Sequence, residues 1–221
     1  MKNILAIETS SDVCSLALSY KDKIFSFHEL MPQKHTEKLM GLLEKIIVDA
    51  GAKFEVLQAI AVGCGPGSFT GIRLSCAVAQ GLAYSCNINA IRVSSLEVMA
   101  KHFNEKYKAD DVMTLVNAHM KQLYIGRFRY NQNELSSFSE KAIEIEDFST
   151  SDFNLNTFIV GNGCQLVINK LKKFNSKVYS HYPNALDLLS LAQVKYEKGE
   201  TLSAENILPV YLTGEEHWNP S

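Results

Sequence analysis

The order of hydrophobic and polar positions divides the start of the chain into regular elements. Apolar runs at residues 4–8, 13–20 and 24–30 are separated by short polar turns, which is typical of neighbouring antiparallel strands. After Thr36, apolar residues recur at helical spacing until Gly51, where a helix is expected to end. The opening of the chain therefore predicts three strands followed by an amphipathic helix.

A glycine-rich stretch separates the next strand from a long helix. The apolar run 59–63 leads into Gly63-Cys64-Gly65-Pro66-Gly67, and helical spacing resumes over 69–86. Glycine suits positive φ angles and close approaches, and a helix start offers unpaired N–H groups. The stretch therefore predicts either an anion site or a tightly packed neighbour.

Small residues form a second row on the helix predicted at 69–86. Gly71, Ser75 and Ala79 recur at a spacing of four, which lets another backbone come close. We therefore expect this row to contact a helix, and we include a helix of another subunit among its candidate neighbours.

The middle of the chain predicts a domain boundary. A strand at 88–93 precedes a helix whose start has the Ser94 and Glu97 capping pair, and the strongly polar run 101–111 follows. We predict one domain over residues 1–105 and a second over 106–221, with the final segment packing back on the first.

The second half repeats the order of the first. Its predicted elements are strands at 112–118, 123–130, 137–145, 157–160 and 177–179, a helix at 164–174 and a last helix ending at Gly199. A repeated order indicates duplication. The predicted fold class is α/β, with duplicated ribonuclease-H-like units in the architecture of the actin-like ATPase superfamily, which includes sugar kinases and Hsp70.

Composition excludes several classes of protein. The net charge of −2 gives no general attraction to nucleic acid. The five cysteines form no C-x-x-C pair and are expected to be reduced core thiols. Because no apolar run approaches the ~18 residues of a membrane span, we predict a cytoplasmic protein.

Common catalytic motifs are missing. No lysine lies between Lys53 and Lys101, which rules out a P-loop in the glycine stretch, and the third glycine of a dinucleotide fingerprint is replaced by Thr70. The histidines form no pair at i, i+4, and the stretch 65–69 places its serine one position late for a hydrolase elbow.

The first turn carries the remaining candidate chemistry. Glu8, Thr9, Ser10 and Asp12 place hydroxyls and carboxylates where an actin-like kinase holds ATP phosphates and magnesium. Turns are also rich in these residues because their side chains bond to the local backbone. Both interpretations remain open: nucleotide binding by these four residues, or an ordinary polar turn.

Several segments together resemble one family. They are ILAIETSSDVCSLAL at the start, QKHTEKLMGLLEKII, GPGSFTGIR, VSSLEVMA and, more weakly, NAHMKQLY. This chain closely resembles the TsaB family, formerly called YeaZ. The resemblance implies a duplicated actin-like fold and a cytoplasmic role in making threonylcarbamoyladenosine next to the anticodon of tRNA.

The resemblance also implies partners rather than catalysis. Members of this family act as the non-catalytic partner of a larger paralogue, TsaD, with an ATPase, TsaE, joining the assembly, so tRNA is reached through the complex. The paralogue has an H-L-E-G-H metal motif where this chain has Ser95 and Met99. Because these side chains are poor ligands for zinc or iron, we expect no catalytic residue, no metal and no cofactor here.

Four positions at three sites depart from the family pattern. Cys64 replaces a common arginine or lysine, Asn117-Ala118-His119 replaces D-A-R, and Glu8 replaces a frequent aspartate. Cys64 weakens the prediction of an anion site in the loop, and Glu8 leaves nucleotide binding open.

Two helices are predicted to form the partner interface, as a bundle with the same helices of the paralogue or, without it, of a second copy. The predicted interface residues are His35, Thr36, Leu39, Leu42, Leu43, Ile46, Phe69, Thr70, Gly71, Arg73, Leu74, Ser75, Val78, Ala79 and Leu82. The alternative function is an active Mg-ATP-dependent kinase or hydrolase. A metallopeptidase is contradicted by the missing histidine pair.

Overall fold

The first sheet is built from two parts of the chain, residues 4–30 and 59–93. The computed structural model describes residues 1–151 and 153–212, and at 175 and 176 it describes the backbone only. The strands are β1 (Ile4–Glu8), β2 (Val13–Tyr20), β3 (Lys23–Leu30), β4 (Ala59–Gly63) and β5 (Asn89–Val93), in the order β3-β2-β1-β4-β5. The first three pair antiparallel and the last two join in parallel.

The described residues form four α-helices. They are α1 (His35–Asp49), α2 (Phe69–Cys86), α3 (Ser95–Tyr107) and α4 (Ala185–Glu197). The Ser68 hydroxyl caps the start of α2, and Asn87 in the left-handed conformation, with a φ of 51°, ends it. These local signals explain why the predicted bounds of this helix agree with the structure.

The side chains of successive residues in β1 lie on opposite faces of the sheet. Leu5 and Ile7 pack in a cluster that includes Leu39 and Leu43 of α1, whereas Ile4 and Ala6 pack in a second cluster with α4. Strand side chains alternate between faces, so a central strand covered by helices on both sides is apolar throughout. The strand β1 is accordingly buried along its whole length.

The second sheet repeats the order of the first. Its strands are β6 (Asp111–His119), β7 (Gln122–Asn131), β8 (Glu134–Glu144), β9 (Phe158–Val160) and β10 (Val178–Tyr179), in the order β10-β9-β6-β7-β8. Again three strands are antiparallel neighbours and two are parallel. The helix predicted at 164–174 is instead the 3-10 segment Asn162–Lys177, interrupted at Val167 where φ is −123°.

The two sheets confirm the predicted fold class. Each places its first strand at the centre, followed on one side by an antiparallel hairpin and on the other by two parallel strands. This is the ribonuclease-H-like order, and its duplication in one chain is the actin-like ATPase architecture. In the second copy, the described residues between β8 and β9 contain no counterpart of α1.

The chain divides into two compact units. The first comprises Met1–Val98 with Pro183–Val210, and the second comprises Met99–Tyr182 and resumes at Tyr211. This division differs from the boundary expected after residue 105. The polar run in that region is the second half of α3, and α4 returns to the first sheet because its apolar residues fill one face of it.

Within the part of the chain that the structure describes, no helix is long and apolar enough to cross a lipid bilayer.

Candidate functional site

The glycine loop packs tightly against the first turn of the chain. A Cβ atom at Gly63 would collide with the carboxylate of Glu8, and one at Gly71 would collide with the carbonyl of Thr9. Glycine is therefore required here by close approach. Of the two predictions for this stretch, the tightly packed neighbour is the one the geometry favours, and that neighbour is the chain's own first turn.

Glu8 is fully buried between the turn and the start of α3. Its Oε1 accepts a hydrogen bond from the Ser10 N–H at 2.7 Å, and its Oε2 accepts one from the Ser95 hydroxyl at 2.8 Å. Burial raises the pKa of Glu8 above its usual value of 4.5, although these hydrogen bonds oppose the shift. Both carboxylate oxygens are thus used to join two parts of the fold.

The other residues of the turn are also engaged. The Thr9 hydroxyl donates to the Gly71 carbonyl at 2.8 Å, and the Ser10 carbonyl accepts from the Ser68 N–H at 2.7 Å. Thr9 and Ser10 are buried, and only Asp12 of the four predicted nucleotide ligands is exposed. Because magnesium needs several accessible oxygens, this geometry disfavours the Mg-ATP interpretation.

The start of α3 lies where the resemblance predicted a lost metal motif. The Ser95 hydroxyl, besides donating to Glu8, accepts from the Gly65 N–H at 3.3 Å. Ser95 and Met99 are each 1% exposed. The serine that stands at a ligand position of the paralogue therefore joins α3 to the first turn and the glycine loop.

The predicted interface residues separate into three groups by exposure. The buried ones are His35, Leu39, Leu43, Ile46, Gly71, Ser75 and Ala79; the half-buried ones are Leu42, Leu74, Val78 and Leu82; the exposed ones are Thr36, Phe69, Thr70 and Arg73. Leu39, Leu43 and Ile46 belong to the core cluster of the first unit. In this structure Leu39, Leu43, Ile46, Ser75 and Ala79 pack in the interior and have almost no surface to offer a partner.

The row of small residues on α2 faces its own sheet. The Ser75 hydroxyl donates to the Gly63 carbonyl at 3.1 Å, and Ala79 is fully buried in the core. Gly71, Ser75 and Ala79 are all buried within the first unit, so the structure does not support the expectation that this row contacts a helix of another subunit. They let α2 lie close to β4 and the first turn.

A different row of α2 is exposed, and only two of its four residues, Phe69 and Arg73, were predicted from the sequence. Phe69, Arg73, Ala77 and Gly81 recur at a spacing of four, with the Arg73 guanidinium 3.4 Å from the centroid of the Phe69 ring. Tyr84 beside this row is 81% exposed. Both rows of this helix contain small residues, so spacing alone does not distinguish the buried row from the exposed one.

The exposed side of α1 also carries apolar residues. Met40 is 49% exposed and Val48 is 74% exposed, and the exposed Gly41 lies beside Met40. We call these residues, with the exposed row of α2, the α1–α2 face: Met40, Gly41, Val48, Phe69, Arg73, Ala77, Gly81 and Tyr84. Surface residues of this size and type are typical of protein interfaces.

A polar groove lies at the starts of the same two helices. It has a volume of about 260 Å³ and is lined by Ser11, Asp12, Gln33, His35, Thr36, Ser68, Thr70 and Gly71. We call it the helix-start groove. Sequence analysis had assigned these residues to separate features, the first turn, α1 and the glycine loop, which only the fold brings together.

Four of the five cysteines lie in the interior as expected. Cys14, Cys64, Cys76 and Cys164 are buried, and Cys86 is half-buried. Burial raises the pKa of Cys76 and of Cys164 to about 12, which keeps these thiols protonated at neutral pH. The Cys64 Sγ lies 3.2 Å from the Val93 carbonyl, so the loop presents no side-chain cation at this position.

The second unit contains a charged cluster that the sequence reasoning did not find. Asp111 accepts two hydrogen bonds from the Arg127 guanidinium, both at 3.0 Å, and one from the Thr157 hydroxyl at 2.6 Å. Burial alone would raise the pKa of Asp111, but these partners hold it below its usual value. The cluster joins β6, β7 and the segment before β9.

Comparison with known sequences decides the family. The profile described as "TsaD: tRNA N6-adenosine threonylcarbamoyltransferase" matches residues 28–206. The tRNA threonylcarbamoyladenosine biosynthesis protein TsaB of Haemophilus influenzae is 33% identical over 224 residues, covering 97% of this chain and 95% of that protein. The chain belongs to the TsaB family. The predicted resemblance is confirmed, and the chain is a member of a family of tRNA threonylcarbamoyladenosine biosynthesis proteins.

Other comparisons agree with the TsaB assignment. The structure of YeaZ from Pseudomonas aeruginosa superposes with a TM-score of 0.86 at 31% identity, covering 96% of this chain and 100% of that one. A tRNA N6-adenosine threonylcarbamoyltransferase of Wolbachia is 31% identical over 116 residues, which is 45% of this chain and 35% of that protein. The TsaB family and this transferase therefore share part of their sequence.

Proposed function

We propose that this chain is a non-catalytic subunit that supports a TsaD-like catalytic paralogue in forming threonylcarbamoyladenosine next to the anticodon of tRNA. A TsaE-like ATPase is a further expected component, and tRNA is reached through the assembled complex. The single observation that carries the proposal is the pair of open helical glycines, Gly41 and Gly81, on the α1–α2 face.

Neither sterics nor backbone conformation requires glycine at these two positions in the isolated chain. A Cβ atom at either position would meet nothing within 4 Å, and neither residue has a positive φ. Glycine inside a helix costs roughly 1 kcal/mol relative to alanine. Close approach of another backbone would explain both glycines, because a side chain on either would then be in the way.

The surroundings of the glycines support a protein partner. Phe69 is 50% exposed and Tyr84 is 81% exposed. Aromatic residues, methionine and arginine are the types enriched at interface cores, and Met40 and Arg73 complete that set on this face. The partner we propose is the catalytic paralogue.

A paralogue with the same fold would present the equivalent helices. Two related chains that share one surface can pair across an approximate two-fold axis, and so can two copies of one chain. The shared sequence with the Wolbachia transferase supports such a relation. A homodimer through the same face is therefore expected when the paralogue is absent.

The start of α3 supports a role without catalysis. A catalytic zinc or iron site needs imidazole, carboxylate or thiolate ligands, whereas this chain has Ser95 and Met99 at the two positions. The Ser95 hydroxyl is bonded to Glu8 and both side chains are buried. The burial of these two side chains supports the proposal that the paralogue, and not this chain, is the catalyst.

Charge introduced on the exposed row of α2 tests the proposal. Ala77→Arg is expected to abolish co-elution with the paralogue in size-exclusion chromatography and to lower threonylcarbamoyladenosine in tRNA at least tenfold in cells that depend on this chain. The variant should fold normally because Ala77 is exposed. Val194→Arg, at a 46% exposed position on α4, is the matched control and should change neither result.

The outcomes separate the competing interpretations. A complex that survives Ala77→Arg would show that the interface lies elsewhere. Threonylcarbamoyl transfer by the isolated chain, with no paralogue present, would show that the chain is itself an enzyme.

A further inference from the structure

One residue that lines the helix-start groove has a buried ring nitrogen without a hydrogen-bond partner in the part of the chain that the structure describes. His35 is 8% exposed and lines the groove, and its Nε2 is buried with no hydrogen-bond partner among the described residues. An unsatisfied buried polar atom costs free energy, so the few that occur in folded proteins call for an explanation. A ligand that accepts a hydrogen bond from this nitrogen would explain why it has no partner in the described part of the protein.

The groove is rich in donors. Thr36, Ser68 and Thr70 contribute hydroxyls, and Gln33 contributes a side-chain amide. Two helices also begin there. The start of α1 has no side-chain cap, whereas the Ser68 hydroxyl caps the start of α2 through the Gly71 N–H at 3.3 Å. The positive ends of two helix dipoles therefore lie at one groove, which favours an anion.

Size and charge restrict the class of ligand. A volume of about 260 Å³ lies below the ~300–1,000 Å³ typical of pockets for drug-sized molecules. Asp12 is the one carboxylate among the lining residues, and a cation site normally needs more than one charged oxygen ligand. A small oxyanion suits the donors, and Asp12 limits how tightly it is held.

We propose that the helix-start groove binds a phosphate group, held by the Nε2 of His35, the hydroxyls of Thr36 and Thr70 and the start of α1. The occupant is either free phosphate or the terminal phosphate of a nucleotide. Binding needs only the isolated chain, so it is independent of the proposed partner. The site shares only Asp12 with the predicted nucleotide site, because Glu8, Thr9 and Ser10 do not line the groove.

Titration calorimetry of the isolated chain with inorganic phosphate, at constant ionic strength, tests this site. His35→Phe keeps the ring but removes the nitrogen, and it should weaken binding about tenfold. The variant should remain folded because the nitrogen has no partner to lose. Asp12→Asn removes a like charge at an exposed position and should tighten binding severalfold.

His28→Gln is the matched control, because this histidine lies on β3 outside the groove. It should leave phosphate affinity unchanged. A parallel titration with ADP distinguishes the sources: tighter binding that depends on His35 identifies a nucleotide phosphate, and equal or weaker binding identifies free phosphate. Either result supports the site.

Three results would overturn the proposal. They are the absence of binding by both compounds at tens of millimolar, binding that His35→Phe leaves unchanged, and binding that Asp12→Asn weakens. The last would show that Asp12 helps to hold the ligand, which contradicts an anion held against its charge.

Discussion

Glu8 shows how one buried carboxylate can define the arrangement of three segments. Its oxygens accept from the Ser10 N–H and the Ser95 hydroxyl, and they lie against Gly63 so closely that any side chain there would collide. A carboxylate that is hydrogen-bonded in this way holds its neighbours in place, although its burial is unfavourable for the charged form. Glu8 is therefore a structural residue whose ionisation affects stability.

The pH dependence of stability should report this residue. Because burial raises the pKa of folded Glu8 above 4.5, the folded chain keeps a proton that the unfolded chain has already lost. The resulting stabilisation is present below 4.5 and disappears as the pH rises through the folded pKa. Glu8→Gln should remove this decline, so that the free energy of unfolding of the variant, minus that of the wild type, increases with pH.

Urea denaturation of both proteins between pH 4 and 8 measures the difference. Glu8→Ala is the informative companion, because it leaves the Ser10 N–H and the Ser95 hydroxyl without an acceptor. It should lower the free energy of unfolding by about 3 kcal/mol at pH 4, and this loss should become smaller as the pH rises through the folded pKa of Glu8. A constant difference between Glu8→Gln and the wild type would show that Glu8 does not titrate in this range.

At the scale of elements, α1 and α2 each have one side buried and one side exposed. Gly41 and Gly81 lie on the exposed sides with open space around them. Gly41→Ala and Gly81→Ala should each raise the free energy of unfolding of the isolated chain by up to about 1 kcal/mol, because alanine is the better helix former. Thermal and urea denaturation of the single variants measure the effect.

A third open glycine provides the control. Gly51 follows α1 with a φ of 61° and also has nothing within 4 Å, so Gly51→Ala should be destabilising by about 1 kcal/mol through backbone strain alone. Gly71→Ala should be more damaging, because its Cβ atom would collide with the Thr9 carbonyl. Should Gly41→Ala or Gly81→Ala also destabilise the isolated chain, our reason for placing a partner beside them would be lost.

Elements were predictable where local signals exist. The bounds of α2 follow from the Ser68 cap and from the break after Cys86, and the β1 to β3 strands follow from alternating apolar runs and polar turns. The buried row of α2 was not predictable from the sequence. The row that contains Gly71 and the row that contains Gly81 both have small residues at a spacing of four, and only the position of β4 in the fold shows which of them is buried. The helix-start groove depends in the same way on contacts between distant segments.

At the scale of the whole molecule, the last helix completes the first sheet. Leu188 and Leu189 of α4 pack with Ile4 and Ala6 of β1, and the Ala185 N–H donates to the Ser15 hydroxyl at 2.8 Å. Later residues extend this attachment, since Ala90 and Leu202 exchange backbone hydrogen bonds at 2.8 and 2.9 Å. No local pattern marks these long-range contacts, which is why the sequence suggested a boundary after residue 105.

The division of the chain can be tested with fragments. Residues 1–98 joined to 183–210 through a flexible glycine and serine linker should fold cooperatively, because this fragment contains both faces of the first core. Residues 1–105 alone lack α4, and the exposed apolar face of β1, β2 and β4 should make them aggregate or unfold. In the full chain, Leu188→Ala should lower the free energy of unfolding by about 3 kcal/mol, because it leaves a cavity where α4 packs on the first sheet. Urea denaturation, followed by near-ultraviolet circular dichroism, distinguishes the two fragments. If residues 1–105 alone unfold in a cooperative transition equal to that of the joined fragment, α4 is dispensable for the first unit.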